Sequence, residues 1–252
     1  MEQTHLRFNS GIAMHKPENI RNKETECPFC RREELSDILD EKGSIILLKN
    51  KYPVLEDTFQ TVLIETDDCD GDISLYSKQH LHDLFSFAIN HWLMMEKDPK
   101  FKSVLLFKNH GPLSGGTLKH PHMQIVGLEG IDYHSKVSRN DFEGILIESK
   151  EEVKWTLSTS PRIGFYEWNV LMQESGNVSQ LADYVQKTIY YILNQYRIKC
   201  SSYNLFFYHI KNEIAVKIMP RFVTSPLFVG YSIPQLPINL EETVKDIQSK
   251  QC

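Results

Sequence analysis

The sequence has no apolar run long enough to span a bilayer and no excess of basic residues. Lys and Arg number 28 against 33 Asp and Glu, a net charge of −5, which argues against a protein that coats nucleic acid. Gly at 12 and Pro at 11 in 252 residues are too few for a collagenous or low-complexity chain. The stretch Met1 to Ser10 is polar and of mixed charge, without the apolar core of a secretory signal. Cysteine is scarce and odd in number: Cys27, Cys30, Cys69, Cys200 and Cys252. That pattern speaks against a disulfide framework and for reduced thiols in the cytoplasm. What remains is ordinary globular composition, 41% hydrophobic and 24% charged, with enough chain to bury a core.

Residues 1 to 26 read as an irregular polar lead-in, broken by Gly11 and Pro17. Strands are expected at Ser44–Lys49 and Thr58–Glu65, then a helix from about Leu75 to Glu96. Within it Leu81, Leu84, Phe85, Ala88, Ile89 and Trp92 recur at steps of three and four. Asp98-Pro99 ends that helix. Strands follow at Ser103–Lys108 and His122–Leu128. The order then repeats: strands at Ile145–Ser149, Val153–Ser158 and Tyr166–Met172, a helix N-capped by Ser179, and strands at Tyr203–Ile210 and Ile214–Met219. The chain therefore reads as a duplicated α+β unit, residues 1–130 and 131–252, with an amphipathic stretch near its end. His120-Pro121-His122 opens the last strand of the first half, whereas Ala215-Val216-Lys217 stands in the comparable place of the second.

The chemistry concentrates between Asn109 and Gln124. Gly111, Ser114, Gly115, Gly116 and Thr117 form a loop between two strands, where glycine backbone N–H groups approach an anion closely and hydroxyls add donors. His120, His122 and Gln124 alternate, so on a strand they share a face and converge on whatever the loop holds. An imidazole facing a phosphate can attack phosphorus and pass the nucleotidyl group on. Gln124 can donate an amide N–H to a phosphoryl oxygen but cannot serve as acid or base, which favours transfer over acid–base hydrolysis. The competing reading is a polar edge strand with solvated histidines; the glycine loop and Gln124 weigh against it. The remaining histidines that lie outside this stretch, His5, His15, His80, His82, His91, His134 and His209, read as surface or packing residues.

Cys27-Pro28-Phe29-Cys30 has the spacing of a zinc half-site, and the polar residues before it do not make the strand a redox motif needs. Cys69, just past a strand, and His120 are the candidates to complete a closed, structural Cys3His shell. His80 or His82 could stand in for Cys69, or Cys69 could be a free thiol.

Taken together, Cys27-Pro-Phe-Cys30, Asn50-Lys-Tyr-Pro53, Asn109-His-Gly111, Ser114-Gly-Gly-Thr117 and His120-Pro-His-Met-Gln124 resemble the galactose-1-phosphate uridylyltransferase branch of the histidine triad (HIT-like) superfamily. Arg7-Phe8-Asn9 and Phe228-Val-Gly-Tyr231 are weaker matches. The resemblance implies duplicated HIT-like units, each a mostly antiparallel sheet with a packed helix. It implies that His122 is the nucleophile, that Gln124 holds the transferred phosphoryl group, that Asn109, Gly115, Gly116 and Thr117 line the phosphates, and that Asn50 sits near the nucleoside. It maps a structural Zn2+ onto Cys27, Cys30, Cys69 and His120, with Cys69 in place of the family's usual His. Members are often dimers, so a homodimer is implied. Three positions depart from the pattern. The Arg-rich N-terminal segment is reduced to His15-Lys16-Pro17. The second metal site meets Ala215-Val216-Lys217 and is absent. An acidic hexose contact is replaced by Ser232.

The expected function is UMP transfer between a UDP-sugar and a sugar 1-phosphate through a nucleotidyl-histidine, with small-molecule partners and neither nucleic acid nor membrane. The alternatives are a nucleotide-sugar or dinucleoside-polyphosphate phosphorylase, a hydrolase, which Gln124 disfavours, and a zinc-stabilised nucleotide-binding protein without catalysis.

Overall fold

A computed structural model describes residues 4–20, 22 and 24–250. Among them, ten strands form one continuous antiparallel sheet: β1 (Ile38–Lys42), β2 (Ile45–Lys49), β3 (Thr58–Ile64), β4 (Ser103–His110), β5 (His122–Leu128), β6 (Gly144–Lys150), β7 (Val153–Ser158), β8 (Trp168–Gln173), β9 (Tyr203–Ile210) and β10 (Glu213–Pro220). Their spatial order is β1-β2-β3-β5-β4-β9-β10-β8-β7-β6. The first five and the last five strands are the same arrangement twice, as the duplication predicted. The halves join edge to edge, β4 against β9, with Leu106 opposite Phe207 and Asn109 opposite Asn204. That seam removes one exposed edge from each half.

Among the described residues five α-helices accompany the sheet: α1 (Ser10–Ala13), α2 (Lys78–Glu96), α3 (Val178–Tyr190), α4 (Pro226–Tyr231) and α5 (Leu240–Ser249). No helix among the described residues is long and apolar enough to cross a membrane. The helix α2 starts three residues later than its apolar pattern suggests, because Ser77 caps it by accepting from the His80 N–H at 3.3 Å. For α3 the cap is Asn177, accepting from the Gln180 N–H at 3.1 Å, and the expected cap Ser179 lies inside the first turn. The amphipathic end of the chain is α5, whose Leu240, Val244 and Ile247 are buried. The edge strand β1 was not expected from the sequence. All five of its residues are exposed, and a hairpin through Gly43 at φ +60° pairs it with β2.

Strand alternation divides the sheet into two faces. On one, Leu63, Val104, Leu106, Met123, Ile125, Val216 and Ile218 pack under α2, α3 and α5 in a single core. Trp92 of α2 is fully buried and donates its indole N–H to the Val104 carbonyl at 2.9 Å. Burying each such large apolar side chain contributes about 1.5–3 kcal/mol. The other face carries smaller apolar clusters and is partly covered by the lead-in and by the segment around Ile131 to Phe142. Since β5 puts Met123 and Ile125 into the helix core, His122 and Gln124 must point to this second face.

Candidate active site and metal centre

The second face of the first half holds a cavity of about 410 Å³. Asn50, Asn109, Gly115, Gly116, Thr117, His122 and Gln124 all line it, so one hollow gathers the residues picked from the sequence. Its apolar wall is Phe29, Leu35, Leu48, Val62 and Leu118. Gly115 has φ +89° and open space where a Cβ would stand, which leaves its backbone free for close approach. Gly111 has φ +80°, and a Cβ there would lie 2.2 Å from the Ser201 carbonyl, so no side chain fits at the root of the loop.

His122 is buried, and its Nδ1–H donates to the His120 carbonyl at 2.8 Å. That bond assigns the tautomer and leaves Nε2 with its lone pair. Burial pushes the imidazole down to about 4, so the ring is neutral near pH 7. Phe29, the residue inside the Cys-x-x-Cys, presents its ring edge-on to both His120 and His122, with centroids at 5.8 and 5.6 Å. It fixes the two imidazoles relative to each other.

Cys27, Cys30, Cys69 and His120 converge, their donor atoms all within 4.8 Å of one another. The Nε2–H of His120 donates to the Thr66 carbonyl at 2.8 Å, which turns Nδ1 to within 3.6 Å of both the Cys27 and Cys30 sulfurs. In a tetrahedral site with metal–sulfur and metal–nitrogen bonds of about 2.3 and 2.0 Å, the sulfur–nitrogen edge is roughly 3.5 Å. Donor types, spacing and the outer-shell carbonyl thus all fit a closed metal site. His80 and His82 take no part: His80 packs its ring on Tyr76 and His82 pairs with Asp183 at 2.9 Å.

Two contributors were missed by sequence reasoning. Asn204 of β9 is fully buried and donates its amide to Asn109 Oδ1 at 2.6 Å and to the Ser114 carbonyl at 3.1 Å. With its oxygen so engaged, Asn109 has its NH2 to offer the cavity. The second is Phe29, whose ring meets both imidazoles; Lys16, named in the sequence only as a remnant of the Arg-rich segment, lines the hollow from the lead-in. Conversely, Phe228-Val-Gly-Tyr231 lies on α4 away from the cavity, with Val229 73% and Tyr231 75% exposed, and Ser232 ends that helix at φ 56°. In the second half Lys217 occupies the face that His122 and Gln124 occupy in the first. It is buried against Glu167 at 3.1 Å and Asn169 at 2.9 Å, so an ion pair fills the duplicate of the site.

Two family models match the chain, described as "Domain of unknown function (DUF4931) N-terminal domain" over residues 8–131 and "Domain of unknown function (DUF4931) C-terminal domain" over residues 134–251. Among solved structures, a DUF4931 family protein from Bacillus cereus is 47% identical, with 84% of this chain and 98% of that chain covered and a TM-score of 0.77. A uridylyltransferase is 16% identical, covering 90% and 91%, with a TM-score of 0.71. An ADP-glucose phosphorylase from Arabidopsis thaliana, solved with bound ADP-glucose, is 14% identical, covering 96% and 93%, with a TM-score of 0.74. No curated protein matches. The chain shares its fold with this uridylyltransferase and this ADP-glucose phosphorylase, the fold that the sequence resemblance implied.

Proposed function

The chain belongs to the DUF4931 family, and from that premise and its fold we propose that it is a nucleotidyltransferase working through a nucleotidyl-histidine on His122. The observation that carries this reading is the buried, neutral His122, its Nε2 lone pair left free inside a hollow lined by a glycine loop. In the first step Nε2 attacks the α-phosphorus of a nucleotide sugar. The bond to the bridging oxygen breaks, and sugar 1-phosphate leaves with that electron pair. Charge gathering on the phosphoryl oxygens is met by Gln124, by the Asn109 amide and by the Gly115 N–H, while Gly116, whose own N–H donates to Ser114 Oγ at 3.3 Å, leaves room for close approach and Thr117 adds a hydroxyl. The positive ring is held by its Nδ1–H bond to His120. In the second step an oxygen of a phosphate dianion attacks phosphorus, the N–P bond breaks, and His122 returns neutral. Neither step needs a general base, which suits glutamine at position 124.

Uracil nucleotide and hexose 1-phosphate are the first reading of the substrates. Inorganic phosphate as acceptor is the second, supported by the ADP-glucose phosphorylase of like fold. Asn50 is the proposed neighbour of the nucleoside, a role supported by its place in the lining of the hollow. Zn2+ is the proposed occupant of the Cys3His cluster and would supply a rigid anchor for the catalytic strand, not chemistry. The chemistry belongs to residues 1–130, and 131–252 is the silent copy, a division supported by family models that meet between 131 and 134. A homodimer is also proposed, on the exposed apolar residues of 223–238, where Val223, Val229, Tyr231 and Ile238 are 73% exposed or more.

The test is isotope exchange. With nucleotide sugar and labelled glucose 1-phosphate as the only reactants, a ping-pong enzyme moves label into nucleotide sugar. His122→Ala should abolish exchange while leaving the circular dichroism spectrum and metal content intact. Binding of nucleotide without any exchange by the natural chain would leave the non-catalytic reading standing.

A further inference from the structure

Four successive strands of the sheet each bring one residue to a line that starts in the cavity and ends outside it. His122 stands on β5, Asn109 on β4 and Asn204 on β9, and Arg221 lies just past the end of β10. Arg221 donates to Asn204 Oδ1 at 3.1 Å, and Asn204 donates to Asn109 Oδ1 at 2.6 Å and to the Ser114 carbonyl at 3.1 Å. The backbone of Arg221 is tied to the same place. Its N–H donates to the Ser202 carbonyl at 2.7 Å, and Ser202 Oγ accepts the Leu113 N–H of the glycine loop at 3.2 Å.

The line has a direction, and groups that cannot reverse set it. A guanidinium only donates and a backbone carbonyl only accepts, so the buried Asn204 must turn its oxygen to Arg221 and its NH2 to Ser114 and Asn109. The Asn109 oxygen is thereby taken, and its NH2 is the end left for the cavity. Arg221 is half-buried, and no ion pair among the described residues claims its charge, so its hold on Asn204 is not shared with a carboxylate. A positive charge at the outer end polarises both amides in the same sense and makes the Asn109 N–H a stronger donor. We infer that Arg221 is a positioning residue for the transfer: from the second half, outside the cavity wall, it fixes Asn109 as a donor to the phosphoryl group. This rests on the transfer reading above. It gives the second half a part in the reaction that its own filled copy of the site does not have.

The test uses the full chain, the variants Arg221→Lys, Arg221→Gln, Arg221→Met and Asn109→Ala, and the double variant Arg221→Met with Asn109→Ala. Each is mixed with UDP-glucose and with ADP-glucose, and single-turnover adduct formation is followed by intact mass. Affinity for the same nucleotide sugars is read by calorimetry in the His122→Ala background. Arg221→Met should slow loading roughly 10-fold, the low end for a hydrogen bond to a charged group. Arg221→Lys still only donates and should recover most of that loss. Arg221→Gln offers an oxygen as well as an N–H and should load more slowly than Arg221→Lys, a comparison that stands even if Arg221→Met does not fold. With Asn109→Ala in place, Arg221→Met should cost less than about 2-fold more, because the amide it orients is gone. A purely structural role would slow both backgrounds by the same factor. That result, or loading unchanged in Arg221→Met, overturns the assignment while the adduct itself still forms. Non-additive losses of affinity without an adduct from either donor would remove the transfer reading and leave the orientation of Asn109 by Arg221 standing.

Discussion

His122 carries more of the account than any other side chain. Its neutral state follows from burial, which drives the imidazole to about 4 from an ordinary 6.5. Adduct formation should therefore be flat from pH 8 down to pH 6 and fall only well below that. Half-loss near pH 6.5 in a pre-steady-state rate profile would contradict the burial argument. The same shift has a stability consequence. His110, stacked on Tyr203, is likewise pushed down to about 4 by burial. Between about 6.5 and 4 the unfolded chain binds more protons than the folded one, so stability must fall as pH drops through that window and be indifferent to these two groups above it. Chemical denaturation at pH 7.5, 6 and 5 measures this directly.

At the scale of elements, β5 connects the candidate metal site with the residue proposed to carry the chemistry. His120 faces the thiols, and two residues on His122 faces the hollow, joined through the His120 carbonyl. Cys27→Ser or a chelator should cost about 2 kcal/mol or more, roughly 4–8 °C in Tm at this length. The reaction should fail only as the strand loosens. Equal stability with and without metal would contradict the anchoring role. Behind the same strand, Lys108 and Glu65 form a buried pair at 2.5 Å, and Tyr76 donates to Glu65 at 3.1 Å. Lys108→Met alone should destabilise by about 3–5 kcal/mol, because it strands a buried carboxylate; Lys108→Met with Glu65→Gln should recover much of that in urea melts.

These elements also show what a linear reading reaches. β5 was readable to the residue because the alternation of His-Pro-His-Met-Gln is local and its period is that of a strand. The strand β1 was not. Its residues are all exposed and it exists only because β2 offers an unpaired edge. At α3, Asn177 and Ser179 are both good caps, and only the register of the first turn chooses between them. Phe29 and Asn204 were invisible for a simpler reason: their work is done across 90 and more residues of chain, by contacts that leave no local pattern.

For the whole molecule, the question is why a half without the His-x-His of β5 is retained. The seam gives an answer. Asn204 reaches across from β9 to hold Asn109 and the Ser114 carbonyl, with Arg221 donating to its oxygen at 3.1 Å. Gln186 of α3 donates to the Ile73 and Tyr76 carbonyls at 2.8 and 2.9 Å, steadying the turn that follows Cys69. The second half is thus a rigid backing for the first. Asn204→Ala should weaken nucleotide binding, read by calorimetry, by about 1–3 kcal/mol with little effect on metal content. A variant that binds as tightly as the natural chain would refute that role.

The central claim is a covalent one. Intact-mass spectrometry of the protein incubated separately with UDP-glucose and ADP-glucose, without acceptor, tests it most directly. The account predicts a gain of one nucleotidyl group from one of them, lost in acid, mapped to His122 and missing in His122→Ala. An unmodified mass with both donors, under conditions where calorimetry shows the nucleotide sugar bound, would contradict it.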